Sequence, residues 1–208
     1  MQTISAILAL GPVVPVLTID DVETAVPLAR ALAKGGLPAI EVTLRTAASP
    51  DAIRAIAAEV PEATVGAGTI LTPKHYEAAV DAGARFIVSP GCTPDLVRAA
   101  TESEVPFLPG AATASEVMTL MGANFTHMKF FPAGPAGGVK MLAALAAPLP
   151  AVRFCPTGGV TLENAPDYLA LPNVACVGGS WVAPKDRLAA GDFAAVTALA
   201  AEAAALRR

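Results

Sequence analysis

Residues 64–90 read TVGAGTILTPKHYEAAVDAGARFIVSP and contain one complete strand–helix–strand pattern. The flanking runs, 64–70 and 86–90, are short and almost continuously apolar, which is typical of parallel strands covered on both faces. Between them, Thr72 offers a capping hydroxyl directly before a proline, and Gly83 lies where the helix should end. The stretch therefore predicts a β–α–β unit.

The same alternation continues in both directions along the chain. Apolar runs predict strands at 13–19, 39–44, 64–70, 86–90, 107–111, 127–132, 152–157 and 175–180. Helical patterns occur between and after them at 22–34, 50–59, 73–82, 94–102, 114–122, 139–146, 162–169 and 192–206. About eight β–α repeats in 208 residues predict a compact (β/α)8 TIM barrel, formed by one domain over residues 1–208. A doubly wound open sheet is the alternative, although no GxGxxG motif follows the first strand.

Composition and charge argue against several classes of function. Hydrophobic residues make up 54% of the chain, yet no apolar run reaches the ~18–20 residues of a membrane span. The net charge of −4, without a basic cluster, argues against a nucleic-acid partner. The three cysteines are widely spaced and predict neither a disulfide framework nor a zinc site. Because the N-terminus also lacks the pattern of a signal peptide, we expect a soluble cytoplasmic protein.

One lysine lies within the most apolar of the predicted strands, His127-Met128-Lys129-Phe130-Phe131-Pro132. A buried lysine must be paired, neutralised or used, and burial favours the neutral amine that can attack a carbonyl group. Phe131 lies on the same face of the strand, since side chains alternate with a period of two. The alternative interpretation is a lysine at the strand end whose ammonium group reaches solvent.

The second predicted strand carries the sequence Glu41-Val42-Thr43-Leu44-Arg45. The same alternation places Glu41, Thr43 and Arg45 on one face, at the carboxyl end where barrels form their active sites. A carboxylate within an apolar strand requires a partner, and either Arg45 or Lys129 could provide it. A purely structural ion pair for Glu41 and a solvated charge for Arg45 remain open alternatives.

Glycine-rich segments mark three further strand ends. Gly66 and Gly68 precede Thr69, whose hydroxyl lies either at the rim of the site or at the entry to the next helix. Two more segments, Thr157-Gly158-Gly159-Val160 and Val177-Gly178-Gly179-Ser180, follow the last two strands. Barrels commonly bind a phosphate group at these two positions through backbone N–H groups. No cluster of His, Cys, Asp or Glu has the spacing of metal ligands, so we expect no metal.

Several of these segments together resemble those of the 2-keto-3-deoxy-6-phosphogluconate (KDPG) aldolases, also called KHG/KDPG aldolases. The resemblance extends in order over almost the whole chain. The matching runs are Gly11-Pro12-Val13-Val14-Pro15-Val16, Glu41-Val42-Thr43-Leu44-Arg45-Thr46, Val65-Gly66-Ala67-Gly68-Thr69, Lys129-Phe130-Phe131-Pro132-Ala133, Arg153-Phe154-Cys155-Pro156-Thr157-Gly158-Gly159 and Gly178-Gly179-Ser180-Trp181.

The resemblance implies a metal-independent class I aldolase that needs no cofactor and assembles as a homotrimer. Lys129 would form the Schiff base, with Glu41 as the general acid and base. The remaining residues would bind the substrate, with the carboxylate at Arg45 and Thr69, the pyruvate unit at Pro90 and Phe131, and the phosphate at Thr157, Gly158, Gly159, Gly179 and Ser180. The reaction would cleave KDPG to pyruvate and D-glyceraldehyde 3-phosphate in the Entner–Doudoroff pathway.

Three alternatives remain open from the sequence. The first is the sister activity on 2-keto-3-deoxy-6-phosphogalactonate or on 4-hydroxy-2-oxoglutarate, which differ from KDPG at C4 or in the distal group. The second is a non-catalytic barrel that binds a phosphosugar. The third is a phosphate-binding synthase or isomerase of another pathway, in which Lys129 would have no role.

Overall fold

The computed structural model describes residues 2–206 as an α/β fold built around parallel strands. The strands are Val13–Leu17 (β1), Ala39–Thr43 (β2), Thr64–Gly68 (β3), Ile87–Val88 (β4), Phe107–Leu108 (β5), Gly110–Ala111 (β6), His127–Phe130 (β7), Arg153–Pro156 (β8) and Val177–Gly179 (β9). The helices are Ile4–Leu8 (α1), Ala25–Lys34 (α2), Ser49–Glu59 (α3), Pro73–Asp81 (α4), Pro94–Thr101 (α5), Ala114–Gly122 (α6), Gly138–Ala146 (α7), Ala165–Leu169 (α8), Lys185–Ala189 (α9) and Phe193–Ala204 (α10). A 3-10 turn at Val22–Thr24 precedes α2.

The strands form a curled parallel sheet, which confirms the predicted α/β class with parallel strands. Its larger part has the order β5-β4-β3-β2-β1-β9, and its smaller part has the order β6-β7-β8. The first strand thus pairs with both the second and the last, with Val16 opposite Glu41 and Val14 opposite Gly178. A doubly wound open sheet, whose strand order reverses at a switch point, does not have this arrangement.

Every predicted strand and helix is present, but three features were not predicted. The fifth predicted strand is interrupted at Pro109, which has no N–H to donate and separates β5 from β6. The helices α1 and α9, each of five residues, were missed because they are too short to show a clear helical period.

Side-chain caps fix the starts of two helices, α4 and α6, and the cap at Thr72 was predicted. Thr72 accepts a hydrogen bond from the N–H of His75, and Thr113 forms a complete capping box with Glu116. At α3, Ser49 precedes a proline as Thr72 does but is not the cap, because Ala48 occupies the cap position. The hydroxyl of Ser49 donates instead to the backbone oxygen of Thr43 at 2.8 Å and so fixes the loop after β2.

The core has two parts that lie on opposite faces of the sheet. The larger part joins the helices to the outward-facing strand residues, such as Ile40, Val42 and Val65. The smaller part fills the inside of the curl, where Ile7 and Leu8 of α1 pack with residues near the beginnings of the strands. These are Val14, Ala39, Phe86, Val88, Leu108, Cys155 and Cys176. Helix α1 therefore covers the amino end of the sheet interior.

No helix within residues 2–206 is long and apolar enough to cross a membrane. Of the cysteines in this part of the chain, Cys155 and Cys176 are buried and Cys92 is partly buried.

Candidate active site

A buried ion pair between β7 and β2 forms the centre of the site. The Nζ atom of Lys129 lies 3.0 Å from Oε1 and 3.4 Å from Oε2 of Glu41, and the two side chains are only 5% and 4% exposed. The strand register places both side chains inside the curl, because Val14, Cys155 and other residues of the same parity form the inner core. Of the alternatives left open, Lys129 rather than Arg45 is thus the partner of Glu41, and Lys129 does not reach solvent.

An aromatic ring borders this pair. Nζ of Lys129 lies 5.4 Å from the centre of the Phe131 ring, within the range of a cation–π contact. Phe131 immediately follows β7, and the face it shares with Lys129 is the one predicted by the period of two. The ring excludes water from one side of the amine, which favours an iminium ion over its hydrolysis.

Arg45 and Thr69 are joined at the carboxyl ends of β2 and β3. Nε of Arg45 donates to Oγ1 of Thr69 at 3.1 Å. Thr69 has a φ of 60°, an uncommon conformation for a residue with a side chain, and it does not cap α4, since Thr72 does so. The contact orients the guanidinium group and leaves its terminal nitrogens available for a carboxylate.

The two predicted glycine turns meet in one cavity of about 510 Å3. Gly158 and Gly159 have φ values of 93° and 79°, which glycine adopts without strain. Within residues 2–206 their N–H groups donate to no protein acceptor, whereas the oxygen of Gly158 accepts from Gly134 at 2.9 Å. Free backbone N–H groups that face a cavity can bind the oxygens of a phosphate group.

The cavity also contains most of the other predicted binding residues. Its lining includes Arg45, Phe131, Thr157, Gly158, Gly159, Gly179 and Ser180. Lys129 and Glu41 do not line the cavity directly but lie next to Phe131, on the interior side of the sheet. The geometry therefore brings the amine, the carboxylate, the arginine and both glycine turns into one region.

Two of the predicted binding residues, Thr69 and Pro90, do not line this cavity. Pro90 does not line it but packs closely on Gly110, since a Cβ at Gly110 would lie 2.3 Å from the Pro90 carbonyl carbon. Gly110 is the register partner of Lys129, so Pro90 lies near the lysine strand. Trp181 is a packing residue whose ring occupies the space beside Gly179.

Lys185 also lines the cavity and was not predicted from the sequence. It is the first residue of α9, the short helix that was not predicted. No motif includes it, and the only signal available was its position five residues after Ser180. In the described part of the chain, no group of three or more His, Cys, Asp or Glu side chains could hold a metal ion.

The chain is similar to known proteins in both sequence and fold. The family model for KDPG and KHG aldolase matches residues 4–199. The KHG/KDPG aldolase of Escherichia coli (strain K12) is 54% identical over 198 residues, which cover 95% of this chain and 93% of that protein.

Two solved structures are similar over nearly their whole length. KDPG aldolase from Legionella pneumophila, with pyruvate captured at low pH as a covalent carbinolamine intermediate, has a TM-score of 0.95 and 44% identity, and the match covers 97% of this chain and 98% of that one. The aldolase of Zymomonas mobilis ZM4 with 3-phosphoglycerate has a TM-score of 0.93 and 47% identity, and the match covers 97% and 95% of the two chains. Because the family model matches residues 4–199 and these relatives share the fold over nearly their whole length, the chain belongs to the KDPG and KHG aldolase family.

Proposed function

We propose that this protein is a class I aldolase that cleaves KDPG to pyruvate and D-glyceraldehyde 3-phosphate. The observation that carries the proposal is the buried pair of Lys129 and Glu41, 3.0 Å apart and next to a cavity with an arginine and two glycine turns. The names of the relatives support the substrate, and the covalent pyruvate intermediate of the Legionella enzyme supports a Schiff base.

The first step is the attack of Lys129 on the C2 ketone of the substrate. Glu41 takes a proton from the ammonium group, and the neutral amine adds to C2 to form a carbinolamine. Glu41 then returns the proton to the C2 hydroxyl, which leaves as water and yields a protonated imine. The hydrogen bonds of Nζ to both carboxylate oxygens give this proton a direct path.

The second step breaks the bond between C3 and C4. Glu41, again a carboxylate, removes the proton of the C4 hydroxyl, and the electron pair of the C3–C4 bond moves into the imine. The aldehyde product departs and an enamine remains on Lys129. Glu41 protonates this enamine at C3, and water hydrolyses the resulting imine to release pyruvate and restore the lysine.

The other predicted site residues hold the two ends of the substrate. Arg45, oriented by Thr69, binds the carboxylate next to C2 because its planar fork matches two carboxylate oxygens. Phe131 and Pro90 enclose the pyruvate unit. Gly158, Gly159, Gly179, Ser180 and Thr157 bind the phosphate group through backbone N–H and hydroxyl donors.

We also infer that the strands form a complete eight-stranded barrel within a single domain. In support, β5 pairs with β4 while β6 pairs with β7, so that these two strands act as one strand interrupted at Pro109. On the other side, an isolated bridge links Thr157, next to β8, with Gly178 of β9. The homotrimer implied by the family stays a prediction.

A second activity, on 4-hydroxy-2-oxoglutarate, is favoured by the double name of the Escherichia coli relative. Both substrates carry the 2-oxo acid unit that Lys129 and Arg45 would bind, and they differ in the distal group. We expect cleavage of both, with KDPG preferred because only KDPG can use the glycine turns.

The experiment that tests the proposal is an intact mass measurement after incubation with pyruvate and borohydride. A reduced pyruvate adduct on the wild-type protein and none on Lys129→Met is the expected result. A folded wild-type sample without adduct would contradict the aldolase function and favour a non-catalytic phosphosugar-binding barrel. Cleavage rates on KDPG, its galactonate epimer and 4-hydroxy-2-oxoglutarate then rank the substrates.

A further inference from the structure

The charges that line the cavity are all of one sign. Two cationic side chains, Arg45 and Lys185, contribute to the lining, and no Asp or Glu does. They come from separate segments, Arg45 from the loop after β2 and Lys185 from the segment after β9. A substrate with a negative charge at each end would therefore find a separate cation for each charge.

Lys185 belongs to the part of the lining that contains the glycine turns. The segment that begins with Gly179 and Ser180 continues through Ala183 and Pro184 to Lys185, and all five residues line the cavity. Arg45, by contrast, is held by Thr69, the residue that follows β3. Lys185 is thus the cation placed for the distal end of the substrate.

The ammonium group of Lys185 is available for a ligand. Within residues 2–206 Lys185 forms no ion pair, although the nearby Arg187 is paired with Asp186 and Asp192. Lys185 also lines a neighbouring cavity that includes Asp20 and Asp21, so it lies on the wall between the two cavities. The side chain is exposed and can be replaced without disturbing the core.

We propose that Lys185 binds the phosphate group of the substrate and makes the enzyme selective for phosphorylated substrates. The proposal rests on the proposed function and adds a residue to it. Backbone N–H groups of the glycine turns donate hydrogen bonds but carry no net charge, so they discriminate weakly between a phosphate dianion and a smaller anion. An ammonium group provides a full positive charge and three donors, and it favours the dianion.

The test compares Lys185→Ala with two matched variants. Lys185→Arg keeps the charge, while Arg187→Ala removes one positive charge from the same helix at a residue that does not line the cavity. For Lys185→Ala we expect KM for KDPG to rise about 5- to 30-fold, with kcat within about twofold, because charged hydrogen bonds of this kind act on binding. The kcat/KM of Lys185→Ala for 4-hydroxy-2-oxoglutarate should stay within about twofold of the wild-type value. Lys185→Arg and Arg187→Ala should have wild-type kinetics on both substrates.

A second measurement, the binding of inorganic phosphate by calorimetry, is independent of catalysis. We expect the Kd for phosphate to be about 5- to 30-fold higher in Lys185→Ala than in the wild type. This difference should be smaller at high salt, since salt screens the charge of Lys185. If the wild type is active and Lys185→Ala has the same KM for KDPG and the same Kd for phosphate, the proposal is overturned. An equal loss of kcat/KM on KDPG and on 4-hydroxy-2-oxoglutarate would also overturn it. Phosphate binding that depends on Lys185 in a wild type that cleaves neither substrate would support the phosphate site and refute the aldolase function.

Discussion

The carboxylate of Glu41 lies over the position at which Gly68 has no side chain. A Cβ at residue 68 would lie 2.0 Å from Oε1 of Glu41 and 2.6 Å from its Cγ and Cδ. Contacts this short do not occur, so any larger residue at 68 would displace the carboxylate that holds Lys129. The glycine of β3 thus sets the position of the proton-transfer group on β2.

Gly68→Ala should therefore lower kcat/KM by about 100-fold, because a small displacement of a catalytic group has an effect of this size. We expect the free energy of unfolding to fall by about 1–3 kcal/mol through overpacking. Gly91→Ala is the control, since a Cβ there has no atom within 4 Å. Full activity of Gly68→Ala would show that Glu41 need not occupy its present position.

Glu41→Gln should slow catalysis by about 10²–10⁴-fold, because the amide can accept a hydrogen bond from Lys129 but cannot move a proton. The direct measurement is the exchange of deuterium into the methyl group of pyruvate, which reports protonation of the enamine. Exchange at the wild-type rate would assign the acid–base role to another group.

Lys129→Met should be less stable than the wild type as well as inactive. The substitution leaves the carboxylate of Glu41 buried without a partner, which costs about 3–5 kcal/mol of unfolding free energy. The double variant with Glu41→Gln should recover part of this loss in urea unfolding. Lys140→Met, at an exposed position, should change stability by less than about 0.5 kcal/mol. Equal stability of Lys129→Met and the wild type would argue against a tight ion pair in solution.

The capping box of α6 predicts a dependence of stability on pH. The N–H of Ala112 donates to Glu116 at 2.8 Å and, with the contacts from Thr113, lowers the pKa of this carboxyl below 4.5. Because the folded pKa is lower than the unfolded one, the contribution is complete above pH 4.5 and is lost as the pH falls through the folded pKa.

Glu116→Ala should accordingly cost about 1 kcal/mol at pH 7, a typical value for a lost cap, and much less near about pH 3. Chemical unfolding of both proteins at several pH values measures the difference. If the difference in unfolding free energy between the two proteins did not change with pH, the charge of Glu116 would make no contribution to stability.

Cys92 should react slowly with alkylating reagents. Burial raises the pKa of its thiol from 9.0 to about 11, so at pH 8 the thiolate fraction is about 100-fold smaller than that of an ordinary thiol. We expect the rate of iodoacetamide labelling to rise with pH well beyond pH 9, while all three cysteines react in urea. A rate that levels off near pH 9 would contradict the raised pKa.

Much of the fold and the central pair of the site could be predicted from local patterns. Apolar runs and capping residues identify the strands and most helices, and the strand period places Lys129 on the same face as Phe131. The choice of Lys129 over Arg45 as partner of Glu41 required the register across the sheet, which no single strand contains. The position of Lys185 in the cavity lining could not be predicted, because it depends on where the short segment after β9 returns to the cavity.

Helix α1 has a consequence for the order in which the products leave. Ile7 and Leu8 close the amino end of the sheet interior. Substrate and products therefore reach or leave Lys129 through the opening of the cavity at the carboxyl ends of the strands. In the proposed mechanism, pyruvate is still bonded to Lys129 when the aldehyde product forms. The three-carbon phosphate must therefore depart first and pyruvate second, which makes pyruvate the product that competes with the incoming substrate for the free enzyme.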